Sequence, residues 1–156
     1  MALVRILVDG YSLLHNWPEL APGSPRHSAA AREELIHRLT QYRDAIGTPI
    51  TIVFDGSSPK RGAPPVESTP ELEILYSSGR QSADDLIERA AVRFRPFGEV
   101  LVVTNDYAER DTVFYNGGFS TSCENFIATV EGALQTQERE IHQHNRRERT
   151  RFKTTP

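Results

Sequence analysis

The chain has 156 residues, of which 25% are charged and 38% hydrophobic, a balance typical of a soluble globular domain and not of a disordered or fibrous protein. This length supports one core without disulfides or structural metal. No apolar run approaches the ~18 residues that a membrane span needs, and the N-terminus lacks the pattern of a signal peptide. The single cysteine, Cys123, excludes a disulfide within the chain and a thiolate-rich zinc site. We therefore expect a cytoplasmic protein.

The net charge of -3 conceals an uneven distribution. We call residues 141–156 the basic tail and residues 1–140 the body. The tail has one anionic residue and five cationic ones, which are Arg146, Arg147, Arg149, Arg151 and Lys153. A basic tail on an acidic body predicts a polyanionic partner for the tail and a cation for the body. The alternative, which is equally common, is that a short basic run at a chain end is a solvated terminus that binds no partner.

The first half of the chain predicts two buried strands separated by a helix. The elements are a strand over residues 3–8, a loop over 17–25, a helix over 28–46 and a strand over 49–54. Both strands are aliphatic without clean alternation, which is typical of strands covered on both faces in a parallel sheet. Each strand ends in an Asp-Gly pair.

The second half continues the alternation. Its predicted elements are a loop over 57–70, an edge strand over 72–76, a helix over 82–94, a strand over 99–104, a short helix to about residue 115, a brief strand near residue 119 and a last helix from about residue 122 that fades into the tail. Ser82 followed by Asp85 forms a capping-box pattern. The whole predicts an α/β fold of three layers, with a mostly parallel central sheet flanked by helices.

Acidic residues follow the three buried strands, at Asp9, Asp55 and Asp106. In parallel sheets, ligands bind beyond the carboxyl ends of the strands, where the strand order reverses. The 82–94 helix adds Asp84, which flanks its apolar face, whereas Asp85 points away from that face. We therefore expect Asp84 to join the strand-end carboxylates and Asp85 to face solvent.

Converging carboxylates repel one another unless they bind cations or share protons. Oxygen ligands without a matching histidine or cysteine cluster favour Mg²⁺ or Mn²⁺ over zinc. Such ions lower the pKa of an attacking water and neutralise charge on a phosphate. The pattern therefore indicates a metal-dependent phosphodiesterase.

Each of these residues also has a structural interpretation. Asp9 and Asp55, each followed by glycine, are ordinary turn signals. Asp106 with Glu109 matches a capping box at the start of the next helix. Asp111 fits a solvated helix position. The metal hypothesis depends on the conjunction of the acidic residues at one edge of the sheet.

Five segments occur in a characteristic order, namely ILVDGYSLLH, IVFDG, LEILYSSGRQSADDLIE, VLVVTNDYAERD and GGFSTSCENF. Over about residues 3–130 they resemble the bacterial YacP-like branch of the NYN domains, which are relatives of the PIN-domain nucleases. The resemblance implies a PIN-like fold, divalent-metal-dependent RNA cleavage and ribosome-associated decay of mRNA. It also implies acidic ligands at Asp9, Asp84 and Asp106.

The chain departs from the family pattern at Ser12, where NYN domains usually have asparagine. Serine can donate a hydrogen bond, but its side chain is shorter than that of asparagine. The change therefore affects the hydrogen bonds that support the acidic residues and, through them, the expected rate of cleavage. Further acidic or supporting candidates are Asp55, Asp85, Glu88, Ser12, Asn105 and Asp111.

Cationic residues are candidates for holding RNA phosphates, with ordinary surface charge as the alternative. They are Lys60, Arg61 and Arg80 in loops and Arg146, Arg147 and Arg149 in the tail. His15, Trp17 and His27 lie near the Asp9 loop, where they can stack on a base or anchor the loop.

Two rival functions lack their motifs. A dinucleotide-binding turn needs G-x-G-x-x-G where this chain has DGYSLL. A phosphoaspartyl phosphatase of the haloacid dehalogenase type needs a second aspartate where Tyr11 stands. Cys123 has no histidine constellation for nucleophilic catalysis. The remaining alternative is an RNA- or ribosome-binding module that keeps the fold and cleaves little or nothing.

Overall fold

The computed structural model describes residues 2–56 and 68–153, so Lys60 and Arg61 lie outside the described residues. The elements in chain order are β1 (Leu3–Asp9), α1 (Gly10–His15), α2 (Ala29–Ile46), β2 (Ile50–Phe54), β3 (Leu72–Tyr76), α3 (Ala83–Phe94), β4 (Glu99–Val103), α4 (Tyr107–Tyr115), β5 (Phe119–Thr121) and α5 (Cys123–Lys153). The predicted α/β fold is confirmed.

The five strands of the described residues form one parallel sheet in the order β3-β2-β1-β4-β5. The chain runs outward from β1 through β2 to β3, and it then returns to place β4 on the other side of β1. Strand order therefore reverses between β1 and β4. Because ligands bind at such a reversal, the carboxyl ends of these two strands are the expected place for a site.

Helices cover both faces of the sheet because successive residues of a strand point to opposite sides. Ile6 and Val8 of β1 belong to a core shared with α1, α2 and α5. Leu7 belongs to a second core shared with α3 and α4. All three side chains are at most 1% exposed. This burial on both faces explains why the strands are mostly aliphatic without a regular alternation.

Helix α1 replaces the turn that Asp9-Gly10 predicts. Asp9 caps α1 by accepting a hydrogen bond from the Ser12 backbone N–H at 3.3 Å. Gly10 is required there, since a Cβ at this position would lie 2.4 Å from Cε1 of the Phe54 ring. The absence of a side chain lets the end of β1 pack directly on a buried aromatic ring.

Helix α5 does not fade at the tail but continues to Lys153. Its first turns bury Cys123, Phe126 and Val130 in the core shared with α2. Beyond Gln137 its side chains are exposed as far as Arg151, apart from one half-buried glutamate. The tail therefore continues a helix whose base is anchored in the body. No helix among the described residues is long and apolar enough to cross a membrane.

Candidate active site

The strand-end aspartates lie at the carboxyl edge of the sheet, and two of them flank the point where the strand order reverses. Asp9 ends β1, and Asp106 follows the neighbouring strand β4 as the N-cap of α4, where it accepts from the Ala108 backbone N–H at 2.9 Å. Asp55 follows β2 and accepts a hydrogen bond from the Ser77 hydroxyl at 2.5 Å. The sheet thus brings all three to one edge, as the sequence predicts.

Helix α3 sorts its two adjacent carboxylates as predicted. Asp84 is half-buried and lines the same cleft as Asp9 and Asp106. Asp85 is exposed and belongs to a capping box, because its carboxylate accepts from the Ser82 N–H at 3.1 Å. The Ser82 hydroxyl in turn accepts from the Asp85 N–H at 3.2 Å.

Glu109 is the acidic residue that the sequence pattern assigns wrongly. It does not complete a capping box with Asp106, because the Asp106 N–H donates to the Thr104 hydroxyl at 3.1 Å. Glu109 instead turns inward, is 5% exposed and accepts from the same Thr104 hydroxyl at 2.8 Å. Its second oxygen, Oε1, is buried without a hydrogen-bond partner among the described residues.

Three carboxylates form a compact group at this point. Ligand oxygens of Asp84, Asp106 and Glu109 all lie within 4.8 Å of one another. Asp9 lines the same cleft but stands outside that group of three. The sequence therefore identifies Asp84 and Asp106 but misses Glu109 as their companion. The spacing of Glu109 from Asp106 could not reveal this, because the same spacing matches a capping box.

We call this cleft the carboxylate groove, a space of about 530 Å³ open to solvent. Its polar lining includes Asp9, Ser12, Asp84, Thr104, Asn105, Asp106 and Glu109. An adjoining cleft of about 310 Å³ shares Asp9 and Asp84 and adds Asp55. The two spaces together form a continuous depression across the carboxyl ends of β1, β2 and β4.

Burial and mutual repulsion raise the pKa of two of these carboxyls. The pKa of Glu109 rises to about 8, first because the group is buried and then because of the nearby charges of Asp84 and Asp9. Burial also raises the pKa of Asp9, with smaller contributions from Asp84 and Asp55, against the opposing hydrogen bond from Ser12. The fully ionised group is therefore unfavourable without a proton or a cation.

The donor set fits a hard divalent cation. The group consists of carboxylate oxygens alone, and Glu109 Oε1 is a buried acceptor that lacks a donor. Oxygen ligands of this kind suit Mg²⁺ or Mn²⁺ better than zinc. Asp84, Asp106 and Glu109 would hold such an ion, with Asp9 beside them.

The other acidic candidates lie apart from the carboxylate groove. Asp85 and Glu88 line a separate cleft of about 670 Å³ beside α3, together with Arg80. Asp111 is exposed on α4.

Cys123 is fully buried at the start of α5, and burial raises the pKa of its thiol to about 11, which does not favour a nucleophile.

Asn105 ties the site to the base of α5. Its Oδ1 accepts from the Cys123 backbone N–H at 2.8 Å, and its Nδ2 donates to Glu124 at 3.0 Å. These two bonds fix the loop between β4 and α4, which presents Asp106. Asn105 thus supports the groove from outside the group of three carboxylates.

Of the three aromatic candidates near Asp9, Trp17 is buried and the two histidines are exposed. Trp17 is 2% exposed and donates from Nε1 to Glu131 at 3.1 Å, so it anchors the loop. His15 and His27 are exposed and line the carboxylate groove. Only these two are placed where an RNA base could contact them.

Comparison with known proteins agrees with this geometry. The family model described as "YacP-like NYN domain" matches residues 6–155, which includes nearly all of the basic tail and not only the span up to residue 130. YacP of Bacillus subtilis (strain 168) is 28% identical over 137 residues, covering 87% of this chain and 80% of that protein.

Solved structures of the same relative share the fold. The crystal structure of Rae1 (YacP) from Bacillus subtilis is 25% identical and superposes with a TM-score of 0.77, covering 96% of this chain and 85% of that one. Its W164L mutant gives a TM-score of 0.76, with 92% and 84% covered. The chain belongs to the YacP-like NYN domain family, whose fold relatives include the PIN-domain nucleases.

Proposed function

We propose that this protein is a divalent-metal-dependent endoribonuclease. The observation that carries the proposal is the group of Asp84, Asp106 and Glu109 within 4.8 Å, beside Asp9, at the reversal of strand order. A group of this kind has little structural value, because its members repel one another and one buried oxygen lacks a donor. Family membership supports RNA as the substrate.

The chain's own residues would prepare the site for hydrolysis. A bound Mg²⁺ or Mn²⁺ would lower the pKa of the attacking water and neutralise charge on the phosphate. Thr104 holds Glu109 in place through its hydroxyl, and the Ser12 N–H holds Asp9. The bonds of Asn105 to α5 keep the Asp106 loop in register. These contacts organise the carboxylates before substrate arrives, which is the protein's main contribution in such a site.

The experiment is cleavage of structured and unstructured RNA with Mg²⁺ or Mn²⁺ titrated, alongside Asp9→Asn and Asp106→Asn. We expect each substitution to abolish metal-dependent cleavage without unfolding the protein, because removing a like charge relieves repulsion. Circular dichroism checks the fold. Full activity in either variant, or a loss explained by unfolding, would contradict the proposal.

Ser12 favours a second candidate function, an RNA- or ribosome-binding module with little or no cleavage. Its hydroxyl replaces the longer asparagine amide usual in the family, next to Asp9 in the groove. The two candidates differ in one result. A binding module holds RNA but leaves it intact at every concentration of Mg²⁺ or Mn²⁺.

We further propose that the basic tail binds RNA phosphates or a ribosomal surface, which would place the activity in ribosome-associated decay of mRNA. The support is the exposure of Arg146, Arg147 and Arg149 on α5, beyond the part packed on the body. Arg80 is exposed beside α3 and is proposed as a further phosphate contact.

Truncation after Ile141 tests the tail. We expect weaker binding to RNA or ribosomes and a flatter dependence of affinity on salt, because fewer counterions are released. Cleavage of a short substrate should persist, since the tail adds no carboxylate to the groove. If affinity and salt slope match those of the full chain, the tail is a solvated end and the body alone holds the partner.

A further inference from the structure

Three aromatic rings connect the core to the edge of the carboxylate groove. Phe54 is fully buried, and the Tyr11 ring meets its edge with centroids 5.2 Å apart. His27 lies on Tyr11 with centroids 4.4 Å apart and planes inclined by 48°. Tyr11 and His27 line both the groove and the adjoining cleft. The column therefore ends in an exposed imidazole beside the carboxylates.

The loop that carries His27 is anchored by residues other than the His27 ring. Trp17 and Leu20, which are 2% and 6% exposed, fix the loop in the core. Arg32 donates to the His27 backbone oxygen at 2.9 Å and to the Tyr11 hydroxyl at 3.1 Å. These contacts hold the backbone of His27 and the ring beneath it. The imidazole is thus an exposed aromatic surface on a fixed support.

The groove needs such a surface if RNA is to bind there. Its carboxylates repel phosphates, whereas the aromatic pair carries no negative charge and Arg32 lies directly behind it. Aromatic rings stack on nucleobases of any type, because every base has a flat π-face. A base within a duplex has its faces covered by neighbouring pairs, so only an unpaired base can stack on a side chain.

We propose that His27, supported by Tyr11, stacks on an unpaired base of the RNA chain that occupies the carboxylate groove. The inference rests on the proposed function and sharpens it, since it assigns a base-contacting residue to the groove. His27 acts in binding and specificity, and the carboxylates act in cleavage. The two roles are therefore separable by experiment.

The test uses the full chain carrying Asp106→Asn, so that the RNA stays intact. The probe is a short single-stranded oligoribonucleotide with one 2-aminopurine, whose fluorescence falls when the base stacks, and the same strand in a duplex. His27→Ala removes the ring and His27→Phe keeps one. His37→Ala is the matched control, because His37 is an exposed histidine on α2 that does not line the groove.

We expect His27→Ala to weaken single-strand binding about tenfold and to remove the quenching, within the range measured for loss of one base–aromatic stack. His27→Phe should restore both, and His37→Ala should change neither. The duplex should bind more weakly and be insensitive to His27. Equal binding and quenching by the parent and His27→Ala, no restoration by His27→Phe, or no single-strand binding by the parent would each overturn the proposal.

Cleavage by the unmodified chain separates this proposal from the nuclease assignment. A protein that binds and quenches through His27 but never cleaves RNA keeps the stacking surface and overturns the nuclease. A protein that cleaves single-stranded RNA equally well with His27→Ala keeps the nuclease and overturns the stacking surface.

Discussion

The first turns of α3 and α4 share a sequence pattern, a polar N-cap residue followed three positions later by an acidic residue, but they form different hydrogen bonds. Ser82 and Asp85 at the start of α3 exchange two hydrogen bonds and close a capping box. Asp106 and Glu109 have the same spacing at the start of α4, but Glu109 turns into the groove and Thr104 takes its place at the Asp106 N–H. One start satisfies its polar groups locally, whereas the other leaves a buried oxygen without a donor.

The difference shows that the contacts around Glu109 override the local preference for a capping box. Asp106 still caps α4, but α4 lacks the reciprocal bond that would complete a capping box and instead buries the Glu109 carboxylate beside two others. Departures from a local rule concentrate at functional sites. Four predictions test the contrast between the two helix starts, beginning with the largest expected effect.

Asp84 and Asp85 are neighbours that the contrast assigns to opposite roles. Asp84→Asn should lower metal-dependent cleavage more than about 100-fold, since loss of a ligand should exceed the 10–100-fold typical of outer-shell partners. Asp85→Asn should leave cleavage near the wild-type rate, because its carboxylate only caps α3. Initial rates on one RNA substrate check both. Equal losses in the two variants would contradict the assignment.

Glu109→Gln tests whether the inward turn at α4 serves metal binding. The amide keeps an acceptor for the Thr104 hydroxyl but loses the negative charge. We expect cleavage to fall and the apparent Mn²⁺ requirement to rise by at least the roughly 10–100-fold typical of outer-shell partners, because Glu109 would be a direct ligand. Calorimetric titration of Mn²⁺ into the RNA-free protein reads the same change without catalysis. Unchanged Mn²⁺ affinity would limit Glu109 to a structural role.

The raised pKa of Glu109 predicts a pH-dependent stability. The unfolded chain releases the proton near the ordinary value of 4.5, but the folded chain holds it to about 8. Stability from this group is therefore complete below the unfolded pKa and declines as pH rises between these values.

The measurement is the free energy of unfolding of wild type and Glu109→Gln in EDTA from pH 5 to pH 8. The variant should gain on the wild type as pH rises, by an amount on the order of 1–3 kcal/mol at pH 8. Added Mn²⁺ should reverse the gain, because a cation compensates the ionised carboxylate. A difference that does not vary with pH would contradict the buried ionisable state.

Ser82→Ala gives the smallest expected effect. It removes the hydroxyl that accepts from the Asp85 N–H, which should cost about 1 kcal/mol of stability. Ser82 lines the adjoining cleft beside Asp84, but its hydroxyl bonds the Asp85 backbone N–H, so cleavage under conditions where the protein stays folded should change little. Urea unfolding and an activity assay on the same preparation check it. A large loss of activity would show that the α3 start positions Asp84.

Much of the fold could be predicted because its signals are local. Aliphatic runs identify the buried strands, and the acidic residue after each run falls at the carboxyl edge of the parallel sheet. The helical angle alone separates Asp84 from Asp85. Arrangements that follow from helical periodicity and from strand direction can therefore be predicted from the sequence alone.

The remaining features depend on contacts distant in sequence or on weak local signals. Glu109 turns inward because Thr104 and Asp84 meet it there, which the spacing to Asp106 does not encode. Helix α1 has six residues and is held by packing on Phe54, since so short a helix is unstable alone. The tail stays helical because arginine, its commonest residue, favours a helix without a core contact.

The length of α5 determines how large a partner must be to reach both the carboxylate groove and the basic tail. Cys123 at its base is tied to Asn105 beside the groove, and the arginines of the tail lie near its other end. At 1.5 Å per residue, Arg146 stands about 35 Å along the helix axis from Cys123. A ligand that merely fills the groove is too small to reach both ends, whereas a long RNA or a ribosomal particle is not. If the tail binds RNA or a ribosomal surface as proposed, this distance means that only a large partner contacts the tail and the groove at once.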